Sequence, residues 1–124
     1  MDTKSVQLIV DEINNLIQKE LCYDFSVKQY ENNQLVIEGG WSLSYPDIEI
    51  LFQGIFFTSL PFTWMTDTEE TVLSLVEGEE ERLINEKFKV EYKHYIFKFK
   101  PDYYPIDFGC LIAAKEISYK FIKY

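Results

Sequence analysis

Between Asp47 and Trp64 the chain reads DIEILFQGIFFTSLPFTW. Ile48, Ile50 and Phe52 alternate against Glu49 and Gln53, and then Ile55, Phe56 and Phe57 make both faces apolar. Period-two alternation marks a half-buried strand, and its replacement by continuous apolar residues marks a strand covered on both sides. The segment predicts a strand from Ile48 to about Thr58, with one wet face at its start and two dry faces at its end. Such a strand belongs near the middle of a small antiparallel sheet.

Upstream the period changes. Val6, Ile9, Val10, Ile13, Leu16, Ile17 and Leu21 recur at three- and four-residue steps, with Asp11, Glu12, Asn14, Asn15, Gln18 and Lys19 on the other side. This predicts an amphipathic helix over residues 2–22, capped by Asp2, Thr3 or Ser5, whose wide apolar stripe lies against a sheet. Phe25–Tyr30 and Gln34–Glu38 follow as two short strands, and Glu31-Asn32-Asn33 between them suits a tight hairpin because asparagine tolerates positive φ. Gly39-Gly40 reads as a bulge or bend, after which Trp41, Leu43 and Tyr45 alternate with Ser42 and Ser44 as a strand would. Pro46-Asp47 turns the chain into the central strand, completing a three-stranded meander.

Downstream the signals are mixed. Leu60–Thr68, with Pro61 and aperiodic Phe62, Trp64 and Met65, reads as an apolar loop. Val72–Val76 favours a short strand over a helical turn. Residues 78–88 predict a short helix, with Glu79–Glu81 at its positive end and Lys87 near its negative end. Lys89–Lys100 regains alternation, with a switch of apolar face midway, and Pro101–Asp107 is a turn-rich connection. Phe108–Ala114 continues through Ile117, Tyr119 and Phe121 as one long bent strand. The expected fold class is α+β: an N-terminal helix on a curved antiparallel sheet of five to seven strands, with a second short helix, all in a single domain over residues 1–124.

Charge changes the functional picture more than composition does. Twelve basic against 21 acidic residues give a net charge of −9. Phosphate backbones require clustered cations. Here Lys87, Lys89, Lys93, Lys98 and Lys100 are interrupted by Glu86 and Glu91, so neither nucleic acid nor an anionic membrane is an expected partner. A basic protein is, because complementary fields steer association. No apolar run approaches the roughly 18 residues of a membrane helix. The start MDTKSVQLIVDEINN carries no secretory signal, so a cytoplasmic location with reduced thiols is expected. A bond between Cys22 and Cys110 is conceivable but not expected.

Candidate chemistry is sparse. His94 is the one histidine, and its pairing with Cys110 as base and nucleophile depends on proximity in space that spacing does not supply. Zinc, calcium-loop and phosphate-loop spacings are missing, so no cofactor or metal is expected. Glu38 beside Gly39-Gly40 and Glu49 on the central strand come nearest to the isolated carboxylates that acid–base catalysis uses. Gly54, inside that strand, suggests close approach of an aromatic ring or another backbone. Trp41, Phe62, Trp64, Tyr103 and Tyr104 fall in or beside expected loops and bends, near Glu69, Glu70, Glu79 and Glu80. Aromatic anchors amid carboxylates suit a protein interface. The favoured expectation is a non-enzymatic acidic module that binds a basic protein, of the immunity type that neutralises a toxin. The alternative is a ligand-binding or enzymatic domain with a pocket between the N-terminal helix and the sheet, lined by the aromatic set with His94 or a carboxylate such as Glu38 or Glu49 pointing inward. Homo-oligomer formation through an edge strand, guarded by Lys93, Lys98 and Lys100, is compatible with either.

Overall fold

A computed structural model describes residues 1–105 and 108–122. The last two residues of the expected 101–107 turn, Ile106 and Asp107, lie outside the described residues. The elements run α1 (Thr3–Ile17), β1 (Cys22–Glu31), β2 (Gln34–Gly40), β3 (Ile48–Ser59), β4 (Thr63–Asp67), β5 (Leu73–Leu75), α2 (Gly78–Phe88), β6 (Tyr95–Phe99) and β7 (Leu111–Phe121). All seven strands form one antiparallel sheet in the order β4-β1-β2-β3-β7-β6-β5, with the expected central strand β3 in the middle.

The sheet curls into a half-barrel around α1. Phe99 of β6 meets Phe25 of β1 and Trp64 of β4 at centroid separations of 5.4 and 5.1 Å, so strands from opposite halves of the sheet touch through their rings. Into this curl α1 places Val6, Val10, Ile13 and Ile17, all buried with Ile37, Ile50, Phe52 and Phe97 in one core. Full burial of each such side chain is worth about 1.5–3 kcal/mol, which anchors a helix whose isolated stability would be marginal. The concave face is thereby filled by the helix along its length, and a cleft of about 1060 Å³ remains at the helix start, where Met1, Asp2 and Thr3 line it together with Leu75, His94 and Tyr95.

The carboxylate of Asp2 caps α1 by accepting the Ser5 N–H at 2.8 Å, a bond that also holds the Asp2 carboxyl below its ordinary range. The helix ends at Ile17, earlier than the expected residue 22, and Leu21 is solvent-exposed. The cause is tertiary. The Thr68 hydroxyl donates to the Glu20 carbonyl and the Thr68 N–H to that of Leu21, drawing the chain out toward β1. Asn14, expected on the polar side, is buried. Its amide donates to the Leu73 carbonyl at 2.7 Å and to the Val10 carbonyl at 3.1 Å, while its oxygen accepts from the Val72 and Leu73 N–H groups.

Asn32 and Asn33 take φ of 51° and 62°, the left-handed pair that a two-residue hairpin requires. Gly39-Gly40 is no bulge: Gly39 stays in register with Phe25 and Ile48, and a Cβ on it would lie 2.6 Å from the Phe25 ring. The bulges fall between Val27 and Gln29 in β1 and between Ile55 and Phe57 in β3. Gly54 precedes the second, and its φ of +69° and 3.0 Å approach to the Lys115 stem account for glycine there. Past it Ile55 still faces the inner core. Phe56 and Phe57 join an outer cluster of Val76, Ile96, Leu111 and Ala113, flanked by Ile84 of α2. The two dry faces at the end of β3 are these two cores.

Three expected stretches take a different secondary structure. Trp41–Tyr45 forms a turn with a single Ser42↔Tyr45 bridge. Residues 63–67 of the expected apolar loop form β4, paired with β1. Lys89–His94 is not strand, because Lys89 ends α2 in the left-handed region and Lys93 has φ of 73°, so β6 starts only at Tyr95. Val72–Val76 yields the three-residue strand β5, and the C-terminal strand is continuous from Leu111, with Phe108 outside it. Because β6 lies between β7 and β5, Lys98 and Lys100 do not guard a sheet edge, and Lys93 sits in a turn.

Candidate functional site

The nine residues expected at a partner surface separate into distinct places. Trp64 is only 4% exposed, stacked on Phe25 at 5.5 Å, and so is a core residue unavailable to a partner. The sequence places it in a loop because Thr66, the next inward residue of β4, is polar, while outward Met65 is apolar. Glu79 and Glu80 lie on the outer helix α2. Arg82 bonds both Glu79 and Glu86 and lowers the Glu79 carboxyl below its ordinary range, and Lys98 reaches Glu80 at 2.9 Å. Glu70 is paired with Lys100. Phe62 is exposed just before β4, its carbonyl accepting from Val27 N–H. Tyr103 and Tyr104 occupy the turn after β6, which Asp102 ties to β4 through a 2.8 Å bond to the Met65 carbonyl. Tyr103 is 91% exposed in the left-handed region, and Tyr104 packs on Phe108 at 4.9 Å.

Trp41 belongs to a different assembly, which register alone creates. Cys22 pairs with Asp67, Asp24 with Gly40, Gly39 with Ile48, and Ile48 with Phe121. The start of β1, the ends of β2, β4 and β7, and the start of β3 therefore share one end of the sheet. Four large apolar side chains lie exposed along this rim: Leu21, Trp41 (58% exposed), Tyr45 and Phe121. Glu20, Asp24, Asp67 and Glu69 flank them at the same end.

The loop that carries Trp41 and Tyr45 is held firmly. Asp47 N–H donates to the Gly39 carbonyl at 2.7 Å, Ile122 N–H donates to the Asp47 carbonyl at 2.6 Å, and the buried Tyr23 hydroxyl donates to the Asp47 carboxylate at 3.1 Å. Burial, and then the Asp47 charge, push the Tyr23 phenol above its ordinary range, so it remains a donor. A loop tied to three strands loses little freedom on binding, which favours an anchor residue. Leu21, Tyr45 and Phe121 were outside the expected site. Their exposure depends on where α1 stops and on which strand ends lie together.

Of the candidate catalytic groups Glu38, Glu49, Cys110 and His94, only His94 lines a cleft. Glu38 and Glu49 are direct cross-strand neighbours on the convex face, within the register row Thr63–Ser26–Glu38–Glu49–Lys120. Opposed carboxylates repel, and here Lys28 at 3.0 Å and Lys120 at 3.6 Å offset Glu49 while Ser26 donates to Glu38. Neither lines the clefts flanking α2. Cys110 is buried in the inner core, and desolvation pushes its thiol up to about 12, the reverse of what a nucleophile needs. His94 lies in the turn before β6, against the Phe56 ring, with Nδ1 2.9 Å from the Glu91 carbonyl, and it lines the cleft at the start of α1 with Glu77, Glu81 and Glu91. Both cysteines are free. Among the described residues no group of three or more His, Cys, Asp or Glu is placed to hold a metal, and no helix is long and apolar enough to cross a membrane.

Comparison with protein-family models, with curated proteins and with solved structures finds no match in any of the three.

Proposed function

We propose that the protein is a non-enzymatic binding module that engages a basic protein through the rim of Leu21, Trp41, Tyr45 and Phe121. The observation that carries this reading is the coincidence of four exposed large apolar side chains with four carboxylates at one end of the sheet. Isolated exposed apolar residues need no explanation, whereas an apolar patch rimmed by charge marks a contact surface. Tryptophan and tyrosine supply contact area at low entropic cost, and the surrounding carboxylates raise the encounter rate with a cationic partner. The net charge of −9 acts in the same direction over longer range. A toxin-neutralising role of the immunity type fits such a module, and reduced thiols fit a cytoplasmic setting.

The test is capture from a lysate of the source organism on immobilised wild-type protein and on the Trp41→Ala variant, with a salt series. The reading expects one basic protein retained by the wild type at low salt, released at high salt and lost with Trp41→Ala. Equal retention by both, or retention insensitive to salt, removes the rim from consideration.

A further inference from the structure

The outer face of the sheet carries a second cleft, built from three sides. Its floor is the register row Ser59–Leu111–Lys98, where β3, β7 and β6 run side by side. Its wall is one face of α2, because Glu80, Leu83, Ile84 and Lys87 recur at the three- and four-residue steps that align side chains along a helix. Phe108 and Gly109, which lead into β7, close the third side, with Tyr104 packed on Phe108. The Ser59 hydroxyl fixes that side to the end of β3, donating to the Gly109 carbonyl at 2.5 Å and accepting from the Leu111 N–H at 3.3 Å.

This cleft holds about 360 Å³, within the range of small-molecule sites. Its wall is unusually apolar for a surface: α2 buries none of its residues completely, and Leu83, Phe88 and Phe108 all remain exposed around the opening. Among the described lining residues the charges are Lys87 and Lys98 against Glu80. Lys98 reaches Glu80 at 2.9 Å, and the Lys87 ammonium lies 5.3 Å from the centre of the Phe88 ring. In a chain of net charge −9, these residues make a local cationic excess, opposite in sign to the carboxylate-lined cleft at the start of α1. We propose that the cleft binds an amphiphilic carboxylate, a small organic acid with an aliphatic body. The body lies on Leu83, Ile84, Phe108 and Leu111, and the carboxylate meets the ammonium groups of Lys87 and Lys98. Apolar walls supply affinity in such sites and a few polar groups fix orientation, while lysine stems cover apolar surface and keep their charge at the opening. A small polar anion would leave the apolar wall unused, and a cationic amphiphile would meet the lysines with like charge. The inference does not depend on the rim around Trp41, which lies at the other end of β3.

The test is an amide-resolved NMR titration with sodium decanoate, alongside sodium acetate, which lacks the apolar body, and decylammonium chloride, which reverses the charge. Decanoate should saturate with a midpoint below about 1 mM, and its shifts should centre on the amides of Leu83, Lys87, Lys98, Gly109 and Leu111. Acetate and decylammonium should each act at those amides at least about tenfold more weakly. Lys87→Gln with Lys98→Gln, both on the surface, should weaken decanoate about tenfold and abolish its advantage over decylammonium, with the remaining spectrum unchanged. Equal binding of decanoate and decylammonium would reduce the cleft to apolar adhesion and overturn the proposal. So would shifts centred on the Trp41 rim or on the cleft at the start of α1, undiminished decanoate binding by the double variant, or no saturable shift by about 10 mM decanoate. Shifts of the same amides on raising the protein concentration alone, with decanoate failing to reverse them, would also overturn it and assign the cleft to a second copy of the chain.

Discussion

Replacing Asn14 with leucine tests how the helix is fixed to the sheet. The Asn14 side chain makes four hydrogen bonds, of which three join α1 to Val72 and Leu73 across 58 or 59 residues of sequence. Leucine shares the branched outline of asparagine but is bulkier and has no polar atom, so the substitution fills the site and strands the Leu73 N–H, the Leu73 carbonyl and the Val72 N–H. A net hydrogen bond contributes about 0.5–1.5 kcal/mol and a stranded buried group costs about 1–3 kcal/mol, which together imply a loss of about 3 kcal/mol. Against a typical total of about 5–15 kcal/mol that is severe. With an unfolding entropy of about 2.1 cal/mol/K per residue, the midpoint temperature should fall by about 10 °C. Urea denaturation is the assay: the midpoint should drop by about 2 M at an m-value of about 1.5 kcal/mol/M that stays constant. Exchange of the Leu73 amide should accelerate together with that of β5. A loss under about 0.5 kcal/mol, the scale of an ordinary surface change, would refute the view that Asn14 finishes the β5 edge.

The two tryptophans should separate cleanly: Trp64→Ala empties a stacked core position and should cost about 3–5 kcal/mol, whereas Trp41→Ala should stay within about 0.5 kcal/mol in the same denaturation experiment. Gly39→Ala drives a methyl to 2.6 Å from the Phe25 ring and should cost about 1–3 kcal/mol by overpacking, measured by thermal unfolding. Cys110 should resist alkylation at pH 8 under native conditions while half-buried Cys22 reacts, as mass spectrometry of the labelled protein will report. The raised thiol binds its proton more tightly folded than unfolded, so its contribution to stability is intact below its ordinary value of 9.0 and is lost as pH climbs toward about 12. Cys110→Ala should flatten that alkaline decline.

The centre of the fold is legible because there polarity and geometry agree. Ile48, Ile50 and Phe52 face the core and Glu49 does not, so alternation reveals β3, and Asn32-Asn33 names its own turn. Where the two part, the pattern misleads. In β4 the buried positions are Trp64 and Thr66 and the half-exposed one is Met65, so no hydrophobic alternation survives to mark the strand. Trp41–Tyr45 and Lys89–His94 alternate as strands do, yet fold as turns, because five or six residues of alternation carry no information about backbone reversal. Asn14 occupies a buried position for the sake of carbonyls and amides 59 residues away, which local sequence does not encode. The rim shows the same limit: Trp41 and Glu69 stand out as residue types, but only register brings them together with Leu21, Tyr45 and Phe121.

The most direct test of the proposed role is a hydrogen-exchange footprint of the protein bound to whatever basic partner it captures. The account expects slowed exchange at residues 20–24, 41–47 and 67–69, with α2 unchanged. Protection centred on residues 78–88, with the rim exchanging as in the free protein, would contradict it and move the interface to the outer helix.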